Sequence, residues 1–67
     1  MEPNLNICRI YFQKGDLERA LCHAKKAIMM NELRFEAFNI AGYIFMMKKE
    51  TRSSLMFFEK SINLRND

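Results

Sequence analysis

Shifted against itself by 34 residues, this 67-residue chain overlays on itself, which restricts it to architectures that write one unit twice. Six positions recur unchanged: Glu2/Glu36, Ile10/Ile44, Lys14/Lys48, Leu21/Leu55, Lys26/Lys60 and Ile28/Ile62. Others keep their chemistry, as Tyr11/Phe45, Asp16/Glu50, Ala20/Ser54, Ala27/Ser61 and Met30/Leu64 do. The recurrences are spaced like the faces of helices. A fixed period of this size marks a stacked repeat, in which each unit buries its apolar face only against its neighbour. Function is then expected in surfaces rather than in a catalytic centre.

The pattern predicts four helices. From Asn4 to Lys14, Leu5, Ile7, Cys8, Ile10, Tyr11 and Phe12 form a broad apolar face with Asn6, Arg9 and Gln13 opposite. Gly15 supplies the left-handed residue that closes this helix, and Asp16 can cap the next, with Glu18 in its first turn. The second helix runs from about Leu17 to Met30, with Leu17, Ala20, Leu21, Ala24, Ala27 and Ile28 at spacings of three and four. Asn31 to Arg34 is a short connection, and a third helix covers about Phe35 to Lys48, packing through Phe38, Ala41, Gly42 and Phe45. Glu50 or Thr51 starts the fourth, whose apolar set is Leu55, Phe57, Phe58, Ile62 and Leu64. Lys49 stands where the first hairpin has Gly15, so a side chain must enter or avoid the left-handed region there, at about 1 kcal/mol. The second hairpin is therefore expected to be the looser.

Small residues mark where paired helices cross most closely. Cys8, Ala20 and Ala27 in the first unit, and Gly42, Ser54 and Ser61 in the second, occupy these positions, because bulkier side chains would push the backbones apart. Tyr11, Leu21 and Ile28, then Phe45, Leu55 and Ile62, are the expected fillers on either side.

This alternation resembles the tetratricopeptide repeat. Ile7-Cys8-x-x-Tyr11, Gly15-Asp16, Ala20-Leu21, Ala24 and Ala27-Ile28 look like one full unit, and Phe38-x-x-Ala41-Gly42-x-x-Phe45, Leu55, Phe58 and Ile62 like a second. Departures are specific. The family's opening aromatic is Asn4 in the first unit, its turn proline is Glu32 and then Asn66, its turn glycine is Lys49 in the second unit, and serines replace both close-contact alanines there. The resemblance implies an all-α domain over 1–67, with two antiparallel helical hairpins stacked as an α-solenoid, repeat one about 1–34 and repeat two about 35–67. It also implies a concave groove lined by the first helix of each pair: Asn6, Arg9, Phe12 and Gln13, with Glu36, Asn39, Ile40, Tyr43 and Met47. Members that grip a carboxylate terminus use Lys, Asn and Arg in that groove; Leu5, Arg9 and Ile40 stand in three of those places, so a chaperone-tail receptor is not expected. Tyr43, Met46 and Met47 suit a hydrophobic or helical segment.

Composition excludes other classes. Hydrophobic residues make up 49% and charged residues 28%, too apolar for a disordered chain, yet no apolar stretch approaches the length of a spanning helix. The net charge of +3 is spread along the chain instead of forming a stripe, so nucleic-acid binding through Arg9, Lys14, Lys48 and Lys49 is the least favoured reading. No charged-then-apolar leader is recognisable, and two cysteines without one fit a reducing compartment, so the cytoplasm is the expectation. Cys8, Cys22 and His23 are three potential metal ligands, but Cys8 lies at a helix crossing and Cys22 near the packed Ala20, so they should point apart. His23 is expected on an exposed helix surface with no nucleophile beside it, and neither an enzyme nor a cofactor is expected.

The expected role is a protein-protein interaction module or scaffold that binds a peptide or partner helix in the groove. Met29, Met30, Met46, Met47 and Met56 are expected mostly as core filler. Phe57, Phe58, Ile62 and Leu64 lie where a longer array would place another unit, and no polar helix covers them. Either the chain belongs to a longer array or that face self-associates, most simply as a symmetric dimer of fourth helices. The alternative role is a purely structural oligomerisation segment with no ligand.

Overall fold

The computed structural model describes residues 3–32 and 34–65. They form four helices, α1 (Asn4–Gln13), α2 (Leu17–Met29), α3 (Arg34–Met47) and α4 (Thr51–Arg65), with no strand among the described residues. The chain is all-helical and arranged as two antiparallel hairpins. The periodicity placed both ends of α1, α2 and α3 and the start of α4 to within a residue, although Arg34, expected in the connection, already opens α3. Asn66, which stands at the turn-proline position of the second unit, lies outside the described residues.

Three helix ends share one closure. Gly15, Asn31 and Lys49 each take a left-handed conformation, at φ of 82°, 57° and 65°. The following amide reaches back five residues in each case: Asp16 N–H to Tyr11 C=O, Glu32 N–H to Ala27 C=O and Glu50 N–H to Phe45 C=O, all 2.9 Å. These bonds occupy carbonyls that a helix end would otherwise leave without a partner. Lys49 does enter the strained region, as its position opposite Gly15 implied. Asp16 then caps α2, its Oδ1 accepting from Arg19 N–H at 3.3 Å.

Burial follows the small residues. Cys8, Ala20, Ala27, Gly42, Ser54 and Ser61 are all buried, as close crossings require. One core cluster joins Cys8, Ala20, Leu21, Ala24, Ala41 and Ile44, and another joins Leu5, Ala27 and Ala37. Both draw on α1, α2 and α3, so the two hairpins share a single interior. α3 is apolar on nearly every side because it is the central element: it packs on α1, α2 and α4, whereas α4 approaches only α3 among the described residues.

The second unit departs from the filler pattern. Leu55 and Ile62, expected to fill the core as Leu21 and Ile28 do, are exposed, because among the described residues no further helix lies over α4 as α3 lies over α2. Phe57 and Phe58, expected to be uncovered, are half-buried instead. Phe57 stacks on Phe45 at 5.1 Å and tilts against Phe38 at 5.8 Å, while Phe58 meets Tyr43 edge-on at 5.2 Å. The five methionines expected as filler are all exposed, since alanine, leucine, isoleucine and phenylalanine close the interior without them.

Candidate functional site

The residues expected to line a groove lie on α1 and α3, and an ion pair joins the two helices. Arg9 Nη2 donates to Glu36 Oε2 at 2.7 Å, with both side chains about half exposed. A pair this accessible adds about 0–1 kcal/mol, so its value is positional: it ties the outer edges of the two helices together. Asn6 and Gln13 are exposed on α1, with Asn39 half-buried on α3. Phe12 and Ile40 are half-buried against the shared interior and form a floor, and Tyr43 and Met47 stand exposed at the α3 end. The nine residues therefore divide into polar rim, apolar floor and an exposed aromatic and thioether wall. Such a surface offers apolar contact and few fixed polar directions, which suits a short amphipathic segment better than a small polar ligand.

The residues expected at the uncovered end separate. Ile62 is exposed, Leu64 is half-buried, and Phe57 and Phe58 belong to the interior of the second hairpin. Leu64 lines an open depression of about 380 Å³ with Arg34, Phe38, Lys60 and Asn63. Its base is the Phe38 ring, with the Arg34 guanidinium carbon at 6.0 Å and the Lys60 ammonium at 5.8 Å from the ring centre. Comparing burial at positions 34 apart would have singled out Leu55 and Met46 for the uncovered face, but that comparison needs the structure.

His23 is not the exposed histidine expected. It is half-buried, its ring stacks on Tyr11 at 5.7 Å, and Nδ1 lies 3.2 Å from Asn4 Oδ1. An amide oxygen can only accept, so this contact places the proton on Nδ1. Asn4 itself is held by Glu32, whose Oε1 accepts the Asn4 backbone N–H at 3.0 Å and whose Oε2 faces its amide at 3.4 Å. The two departures in the first unit, asparagine for the opening aromatic and glutamate for the turn proline, are thus one contact. The carboxylate satisfies an amide at the start of α1, where Pro3 provides no side-chain cap.

Cys8 is buried and Cys22 exposed, and no three His, Cys, Asp or Glu side chains cluster to hold a metal among the described residues. Burial pushes the Cys8 thiol up to about 11, opposed by the nearby Arg9 charge and a backbone contact at Ala24. A thiol held protonated in this way is a packing group rather than a nucleophile. No described helix is long and apolar enough to cross a membrane. No protein-family model, curated protein or solved structure matches the chain.

Proposed function

We propose that this chain is a tetratricopeptide-like interaction module that holds a peptide or partner helix against α1 and α3, without catalysis or a cofactor. The observation that carries this reading is the α1–α3 surface itself, with Tyr43 and Met47 exposed beside the Phe12 and Ile40 floor and the Arg9–Glu36 pair. Exposed aromatic and methionine side chains on a rigid helical frame are the kind of surface that takes up an amphipathic segment. In this reading the module acts in the cytoplasm and self-associates through its uncovered end. A displayed library of random peptides panned on the chain tests the groove. Selected peptides should lose at least tenfold in affinity on Tyr43→Ala and on Arg9→Glu; equal binding to both variants removes the groove as the site.

A structural role without a ligand is the second reading. It is favoured by the exposure of Leu55 and Ile62, which no groove ligand would cover. Peptide selection that returns no binder, together with concentration-dependent mass, would favour it over the groove.

A further inference from the structure

The 34-residue register gives the large aliphatic residues of the contact between the two hairpins counterparts on an exposed surface, while the small ones, Ala20 and Ala27, have the buried Ser54 and Ser61 as theirs. On the first-unit side that contact uses Leu21, which is 8% exposed, with Ile28 and Phe12 packed beside it; their counterparts Leu55, Ile62 and Met46 are 59%, 57% and 51% exposed. On the second-unit side it uses Ile44, fully buried; the identical counterpart in α1, Ile10, is 47% exposed. Among the described residues, the large side chains of both halves of the internal contact therefore recur exposed, one set on α3 and α4 and the other on α1.

We propose that copies of this chain stack head to tail, with α1 of one copy seated on the α3–α4 face of the next as α3 is seated on α1 and α2. This rests on the reading that the uncovered end self-associates, and it replaces a symmetric pairing of α4 helices with a contact between unlike surfaces. Such a contact leaves one free half at each end of a stack, so assembly continues with concentration until a rotation closes a ring. The crossing is compatible with the bulk present. Ala24 becomes Phe58 in the second unit, but its ring leans inward over Gly42, where an added Cβ would meet it at 2.9 Å. That leaves the face to Leu55 and Ile62, opposite Ile7 and Ile10.

Charge sets the sign of the salt dependence. The internal contact carries a Lys48–Glu18 pair at 2.9 Å, whose counterparts between copies are Lys14 and Arg52, two cations. Screening that repulsion should favour stacking, so added salt should lengthen the stacks instead of dissolving them.

Sedimentation velocity on the full chain across concentration tests this. The wild type should form a series of growing species, longer at about 0.5 M than at about 0.05 M NaCl. Ile10→Glu and Leu55→Glu should each sediment at the single-chain mass, and their mixture should form one species of two chains, since each variant retains the half the other lacks. Both sites are exposed, so helical circular dichroism should be retained; Ile62→Glu mixed with Ile10→Lys carries the same expectation should Leu55→Glu lose helix. A wild type of single-chain mass at every concentration overturns the proposal. So does an Ile10→Glu variant that associates as the wild type does while Leu55→Glu is monomeric, the signature of symmetric α4 pairing. Arg9→Glu should leave the stacks intact, which separates failure of stacking from failure of groove binding.

Discussion

The two hairpins build the same three-cornered contact from different chemistry. In the first, Asn4, Tyr11 and His23 meet, with Tyr11 and His23 stacked at an interplanar angle of 15°. In the second, the residues 34 positions on are Phe38, Phe45 and Phe57, and Phe45 and Phe57 stack at 21°. Backbone geometry is thus indifferent to whether a helix pair is fastened by an amide and an imidazole or by three phenyl rings. What differs is how each fastening is completed. The polar corner is closed by Glu32 from the turn between the units, and the aromatic corner is flanked by Arg34 and Lys60.

The sharpest way to break this equivalence is to delete the corresponding ring from each corner. Phe57→Ala should cost about 2–3 kcal/mol, since it removes contacts to Phe38 and Phe45 in a hairpin with little other interior. His23→Ala should cost about 1 kcal/mol, because solvent can replace part of what the half-buried imidazole provides. Urea unfolding of both variants measures the difference, and equal losses would mean that the two corners are energetically alike.

A second exchange concerns the close crossings. Cys8 opposite Ala24 in the first hairpin becomes Gly42 under the Phe58 ring in the second. Gly42→Cys should cost about 2 kcal/mol by crowding that ring. Adding Phe58→Ala copies the first hairpin's pair, so the double variant should be more stable than the two single losses summed, a coupling visible in a double-mutant cycle. Additive losses would show that glycine and ring are not a matched pair. The smallest effect lies at the turns: Lys49→Gly should stabilise by about 0.5–1 kcal/mol and Gly15→Ala destabilise by about 1 kcal/mol, read as opposite shifts in thermal midpoint. If Lys49→Gly changes nothing, the second turn is not the strained one.

Much of the fold was legible because it depends on local spacing. Helix limits, the Gly15 and Lys49 turns, the Asp16 cap and the six buried crossing residues all follow from periodicity and residue size. The contacts of His23 were not legible, because Asn4 and Tyr11 reach it across the hairpin from α1 and Asn4 is itself held by Glu32 from the turn between the units. Leu55 and Ile62 misled for another reason. Sequence register predicts equal burial for equivalent residues, but burial also requires a neighbour, and α2 has α3 over its outer face where, among the described residues, α4 has no helix over its own. Within the expected groove set, only the structure separated the half-buried Phe12 and Ile40 from the exposed Tyr43 and Met47.

The unequal connectivity of α3 and α4 also sets how the molecule can come apart. The first three helices contact one another, whereas among the described residues α4 is fastened to α3 alone, through Phe57, Phe58 and the buried Ser54 and Ser61. Detachment of that single element would leave a three-helix remnant presenting a wet ladder of phenylalanines, a sticky state whose lifetime would set how readily the chain tangles with its own kind.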